Sequence, residues 1–361
     1  MVESGHTATQ NAPVVLVTEQ RRGRYAEPAG TRLAGIADLR RVDWLPEMDE
    51  AERAALLDAA LPGAAALVVS PWTWASMPRF TPQRWAQAAD LKVIAGTFDN
   101  RFGNWLDVRD AIQRGVTVVD TSRSMTPTVA EFALAMTLNV LREIPAALDL
   151  VRRGEWKDTA WDQPSFFYGD LTGKRVGLAG YGSINRRYAE LIGPFHCNVM
   201  ACDPFVPEGT LERVGIRRVA SLPELASQSE IFVVGIPPTP ATQEIISAEV
   251  IDALPRGATF ILVTRMAVVA QEPLWRRAEA GEIRAAIDVF APEPPPADAS
   301  FRTSPFVYPT PHIAGDTSYC HRRCFTTAVD DAMAVLAGRA PIYATTVWDD
   351  QLYAGEPEKQ R

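Results

Sequence analysis

A small ordered set of residues in this chain could do chemistry together. Gly180-Tyr181-Gly182-Ser183-Ile184-Asn185 follows an apolar run, and Asp203 stands 21 residues beyond Gly182. Arg265, Glu293 and His312 close three later strand-like runs. A glycine turn that opens a helix offers backbone amides to a phosphate at the positive end of the helix dipole. A guanidinium presents a planar fork of donors to carboxylate and carbonyl oxygens. An imidazole beside a carboxylate can exchange a proton near neutral pH. The first cluster suits a dinucleotide and the later trio suits proton transfer beside a bound anion. Together they predict a hydride-transfer enzyme.

A G-x-G-x-x-G pattern gains force when a strand precedes it, a helix follows and an acid ends the next strand. Gly180 permits the tight turn, and Gly182 lets backbone approach a pyrophosphate. The amides of Ser183 and Ile184 then face the phosphates, and Asp203 accepts from the adenosine ribose hydroxyls. A carboxylate there repels a 2′-phosphate, so NAD is expected over NADP. Asn185 stands where the third glycine of the pattern belongs, and the larger residue is expected to push the helix outward. The competing reading is an α/β turn that binds nothing.

Composition narrows the field. With 361 residues the chain should hold two domains. A net charge of −8 argues against nucleic-acid binding, which needs a basic face. No apolar run reaches the roughly 18 residues of a membrane helix. The polar stretch Met1 to Pro13 lacks the apolar core of a signal peptide. Four cysteines suggest a reducing cytoplasm and no disulfide framework. Cys320, His321 and Cys324 share a helix face, yet a zinc site needs about four ligands and no matching pair exists, so no metal is expected. Cys197 and Cys202 read as small core residues.

Short β-rich runs alternate with helical stretches, as in parallel sheets covered by helices. In the first third, strands are expected at 14–17, 67–70, 92–95 and 116–120, with helices at 51–60, 81–89 and 108–114. Thr128 to Ile144 should be a buried helix starting at Thr126-Pro127 or at the Thr128-x-x-Glu131 box. A second series has strands at 175–179, 199–202, 231–235, 259–263, 284–289 and 307–308. Helices fall at 184–192 and 247–254, the latter capped by Ser247, and another at 325–336. Gly154 to Leu171 reads as an aromatic-rich loop, and the last residues as a polar tail.

From about Ala64 to Ala340 the chain resembles the D-isomer-specific 2-hydroxyacid dehydrogenases. The resemblance is most specific at Thr128-Val129-Ala130-Glu131, Leu171-Thr172-Gly173-Lys174, Ala286-Ile287-Asp288-Val289-Phe290 and Pro311-His312-Ile313. It implies two doubly wound α/β domains: a Rossmann NAD-binding domain, residues 121–312, inserted into a discontinuous flavodoxin-like substrate domain formed by 1–120 and 313–361. Hinges would lie near Asp120 and His312-Ile313. Arg265 matches the family's catalytic arginine, Glu293 its acid and His312 its histidine. The histidine would give a proton to a 2-oxo acid, or take one from a D-2-hydroxy acid, as hydride moves at C2. Such assistance contributes about 10² to 10⁴ in rate. Asp288 matches the carboxylate that binds the nicotinamide amide, and Ile236 and Pro237 match residues around the adenosine half. Tyr181, Pro204, Thr242, Val263 and Thr264 complete the candidate cofactor contacts, with His312 counted in both sets. Family members are homodimers, so a homodimer is expected.

The chain departs from the family after its Leu-Lys-Val-Ile strand. A bulky stretch, Ala95 to Trp105, replaces the usual glycine-rich substrate loop, Met266 replaces an expected glycine and Ala270 a usual acid. Trp72, Trp74, Phe98 and Trp105 would line a pocket for an apolar substituent, or else belong to core or dimer interface. Residues 67–100 look somewhat like formate dehydrogenase, but that subgroup carries Gln at the Glu293 position and Asn near Met125. The other rival is a non-catalytic NAD(H) sensor of the same fold.

Overall fold

The computed structural model describes residues 2–5, 12–20, 32–45, 47–71, 73–99, 102, 105–156 and 169–346. Trp72, the side chain of Trp74, most of the aromatic-rich loop and the polar tail lie outside them. The chain divides into two compact units, Met1–Met125 with Ser318–Arg361, and Thr126–Thr317. It crosses between units a turn later than the expected Asp120 and His312-Ile313. Thr121 Oγ1 donates to Cys324 O at 3.1 Å and Arg323 Nε to Ser124 O at 2.7 Å, so 121–125 stay with the first unit. The amides of Ile313 and Ala314 bond to Asp288, so 313–317 stay with the second.

In the first unit the strands are β1 (Val2–Gly5), β2 (Val14–Gln20), β3 (Asp38–Trp44), β4 (Ala64–Val69), β5 (Val93–Gly96) and β6 (Thr117–Asp120). Their order is β1-β3-β2-β4-β5-β6. Strands β2 to β6 run parallel in the flavodoxin-like order, while β1 adds to the edge antiparallel, Val2 opposite Val42. Apolar residues on β4 and β5 are buried on both faces, as a covered parallel sheet requires. Helix Glu50–Ala60 starts at a capping box in which Asp49 and Glu52 bond each other's amides. Phe98 and Trp105 are fully buried, their rings 5.3 Å apart, and both pack with Phe102. The pocket-lining reading therefore gives way to core for these two.

In the second unit the strands are β7 (Arg175–Ala179), β8 (Asn198–Cys202), β9 (Arg217–Arg218), β10 (Ile231–Val234), β11 (Thr259–Leu262), β12 (Arg284–Ile287) and β13 (Val307–Pro309). All pair in parallel, in the order β13-β12-β11-β10-β7-β8-β9. The chain builds outward from β7 in one direction, then returns at β10 to build the other way. Outside the carboxyl ends of β7 and β10 lies the switch point where such sheets hold ligands.

The helix expected over 128–144 runs from Thr126 to Leu141, and a second one, Ile144–Arg152, follows. Glu143 breaks them apart with a left-handed φ of 48°, held by an ion pair to Arg284 at 2.9 Å. Helix Thr126–Leu141 meets helix Ser183–Ile192 through a buried Thr137–Tyr188 hydroxyl contact of 3.0 Å. Ser247 sits at the N-cap of helix Ala248–Ala253 but makes no side-chain cap bond, contrary to expectation. No described helix is long and apolar enough to cross a membrane. Cys320 and Cys324 are buried, and among the described residues no three His, Cys, Asp or Glu gather to hold a metal.

Candidate cofactor and proton-transfer site

The glycine turn leaves β7 with Gly180 at φ +82°, a conformation costly for any residue bearing a Cβ. A Cβ there would also stand 3.1 Å from Gly235 O. At Gly182 a Cβ would meet nothing nearer than Gly235 O at 3.9 Å, so the space before it is open. Gly182 is the N-cap of helix Ser183–Ile192 and supplies no side-chain cap. The first-turn amides, those of exposed Ser183 and half-buried Ile184 among them, thus lack a capping side chain.

Asp203, at the exit of β8, accepts from the amides of Tyr181 at 2.7 Å and Phe205 at 2.8 Å. These bonds fix the carboxylate beside the glycine turn. Arg218 fixes the loop behind it, donating to the carbonyls of Asp203, Val206 and Pro207 at 3.0–3.1 Å. Pro204 is exposed and the Tyr181 ring buried, with the Arg186 guanidinium 5.4 Å from the ring centroid.

After β10, Ile236 is buried and Pro237 exposed. Thr242 Oγ1 donates to Pro237 O at 2.6 Å and accepts from Thr239 N at 2.7 Å, tying the loop to itself. Val263 and Thr264 follow β11 and are buried, with Thr264 Oγ1 donating to Val234 O at 3.2 Å. Each of these segments leaves the carboxyl end of a parallel strand, β7, β8, β10 or β11, and so starts from one edge of the sheet.

The same edge carries the trio. Arg265, half-buried, donates through Nη1 to Thr264 O at 2.6 Å. His312 Nδ1 lies 2.8 Å from Glu293 Oε2, and Glu293 Oε1 accepts from Phe290 N at 2.8 Å. Burial alone would raise the Glu293 pKa. The Phe290 amide, the His312 contact and the charge of Arg265 outweigh it, and the carboxyl lies below its ordinary range. Glu293 therefore remains an anion when the solution is mildly acidic. Sequence reasoning placed these three together, and the structure brings Glu293 into contact with His312 and within the field of Arg265.

Asp288 has a structural task that sequence reasoning missed. It is completely buried, and its carboxylate accepts from Thr310 Oγ1 at 2.6 Å, Ile313 N at 2.9 Å and Ala314 N at 2.8 Å. Between those anchors His312 adopts φ +56°, a left-handed conformation rare for a side-chain-bearing residue. Asp288 therefore shapes the turn that presents the imidazole. Only the unusual run Thr310-Pro311-His312 hinted at a specially held turn.

These features fit a dinucleotide: an unobstructed glycine, an uncapped helix start and a fixed carboxylate at the switch point. The family model for the D-isomer specific 2-hydroxyacid dehydrogenase NAD binding domain matches residues 134–314. D-3-phosphoglycerate dehydrogenase of Mycobacterium bovis is 32% identical over 330 residues, covering 90% of this chain and 57% of that protein. Glyoxylate reductase of Thermofilum pendens is 32% identical over 256 residues, covering 70% of this chain and 74% of that protein. A solved phosphoglycerate oxidoreductase from Rhizobium etli superposes with a TM-score of 0.75 at 24% identity, over 92% of this chain and 98% of that one. The chain spans about half the length of the phosphoglycerate dehydrogenases it matches, 47% in Methanocaldococcus jannaschii and 57% in Mycobacterium bovis. From these matches, and the strand order and glycine turn that agree with them, the chain belongs to the D-isomer specific 2-hydroxyacid dehydrogenase family.

Proposed function

We propose that this protein is an NAD(H)-dependent dehydrogenase interconverting a D-2-hydroxy acid and its 2-oxo acid. The observation that carries the reading is the 2.8 Å His312–Glu293 pair on the sheet edge that also bears the glycine turn. When bound, the dinucleotide supplies or takes up the hydride. The amides of Gly182, Ser183 and Ile184 would hold its phosphates and Asp203 its adenosine ribose, with Ile236 and Pro237 against the adenosine half. Tyr181, Pro204, Thr242, Val263 and Thr264 flank these contacts. Asp288, expected to meet the nicotinamide carboxamide, is closed off from solvent and occupied by Thr310, Ile313 and Ala314, so its part in this reading is to hold the His312 turn.

Arg265 would bind the substrate carboxylate and polarise the C2 oxygen. Because His312 Nδ1 faces Glu293, Nε2 is the nitrogen left to exchange a proton. In reduction Nε2 gives its proton to the keto oxygen; in oxidation it takes the hydroxyl proton. Glu293 stabilises the imidazolium and fixes the ring. The test is NADH oxidation against glyoxylate, hydroxypyruvate, phenylpyruvate and branched 2-oxo acids. Turnover of at least one is expected. NADH binding with no turnover across the panel would replace this reading with a nucleotide sensor.

NAD is preferred over NADP in this reading, because Asp203 sits fixed where a 2′-phosphate would add a second negative charge. Asp203→Ala should narrow the NADH-to-NADPH ratio of kcat/KM by about tenfold, one step of 1.4 kcal/mol. A wild type that already favours NADPH would overturn this part.

We also propose a homodimer. Helix Ile144–Arg152 buries no residue, and exposes Ile144, Leu148 and Val151 along one stripe with Trp156 beyond. Light scattering should give twice the 39.6 kDa chain mass; a monomer at micromolar concentration would exclude it. We also propose a cytoplasmic location, since four cysteines are few for a disulfide framework.

A further inference from the structure

Asn185 stands where the glycine pattern asks for its third glycine, and the structure gives it work that glycine cannot do. It is completely buried. Its Nδ2 lies 2.8 Å from Gly180 O, 3.3 Å from Ala179 O and 3.4 Å from Val233 O. Those carbonyls belong to the end of β7, to the turn itself and to β10, the strands on either side of the switch point. Gly180 N is held in turn by Cys202 O at 2.9 Å. Gly180 is therefore held through both its N–H and its C=O, and the peptide that carries that C=O gives its own N–H, that of Tyr181, to Asp203.

Room for the carboxamide comes from Gly235, just past β10. A Cβ on Gly235 would stand 2.4 Å from Asn185 Nδ2 and 2.5 Å from Cγ, closer than real Cβ atoms come. The two residues form an interlocked pair, large with small. Oδ1 of Asn185 is buried with no hydrogen-bond partner. Buried acceptors are ordinarily paired, so packing alone accounts poorly for an amide here.

We propose that Asn185 is the positioning residue of the phosphate turn. Its carboxamide ties β7 to β10 and orients the Gly180 peptide, and so sets the affinity of the turn for the pyrophosphate of a dinucleotide. The inference rests on the dinucleotide-binding reading above and deepens it.

The experiment measures NADH affinity by fluorescence titration, together with kcat and the KM for NADH, on the full chain. Asn185→Ala should raise the NADH Kd and KM about tenfold while kcat at saturating NADH stays within about twofold, since the proton-transfer residues are untouched. Gly235→Ala should weaken NADH binding in the wild-type background and have less effect in the Asn185→Ala background, where the space is free. That recovery is a readout general destabilisation would not produce. Should Asn185→Ala melt too low to assay, Gly235→Ala with Asn185→Ser carries the same comparison. A folded Asn185→Ala chain that binds NADH as wild type does, or additive effects of the two substitutions, would overturn the proposal. Absence of NADH binding by the wild type would instead bring down the dinucleotide reading itself.

Discussion

Replacing His312 with alanine lowers turnover of any accepted 2-oxo acid by about 10² to 10⁴, the usual contribution of a positioned general acid-base. NADH affinity should fall by less than about tenfold, because His312 is one cofactor contact among many and the glycine turn and Asp203, which hold the phosphates and ribose, lie outside the histidine turn. The size follows from the geometry. His312 Nδ1 is committed to Glu293 at 2.8 Å, so one defined nitrogen faces outward. Glu293 is held by the Phe290 amide and kept anionic, so a counter-charge is ready when the ring gains a proton. Steady-state kinetics beside an NADH titration checks both halves. Residual activity within about tenfold of wild type would remove His312 from the proton path.

Asp288→Asn should damage both stability and turnover. Three donors converge on this buried carboxylate. An asparagine keeps one oxygen and turns an NH₂ toward the others, leaving at least one donor facing another donor. Each hydrogen bond to a charged group is worth about 1.5–3 kcal/mol. A loss of about 2–4 kcal/mol is expected, and a unit of this size melts about 2–4 °C lower per kcal/mol. The His312 turn, at φ +56°, then loses the groups that hold it against its local preference. Turnover at a temperature where the variant remains folded should fall at least about tenfold, since small misplacements of catalytic groups are costly. Thermal melts and kcat measure the two effects. An unchanged melting temperature would mean that the turn is held by other contacts.

The second sheet was almost wholly legible in the sequence, because its strands are short apolar runs buried on both faces. Arg175–Ala179 was read to the residue, and Ile231–Val234 and Thr259–Leu262 within one. Strand β3, Asp-Leu-Arg-Arg-Val-Asp-Trp, was invisible: four charged residues mask a strand whose burial shows only at Leu39, Val42 and Trp44. Strands β1 and β9 were missed for want of an apolar pattern, as were helices Leu222–Gln228 and Gln271–Glu279. The helix break at Glu143 depends on a long-range partner, Arg284, that no local window contains. At the site, residue types and order pointed to the trio, but not to Asp288 as the keeper of the histidine turn. Asn185 was expected to force its helix outward. The structure places its carboxamide in space left by Gly235, 50 residues away in the chain, a partner no local window contains.

The division of the chain also fixes an order of events during synthesis. Phe325, Ala328, Val329 and Ala332, on helix Ser318–Leu336, pack with Val15, Val17, Ala66, Val68, Val93 and Ala95 of the first sheet. Those strands are made before that helix, so the face it covers has no partner until residues 318–336 have been added. The second unit is contiguous, and has all its own residues once Thr317 has been added. The second unit can thus finish folding while the first still waits for a cover encoded after it.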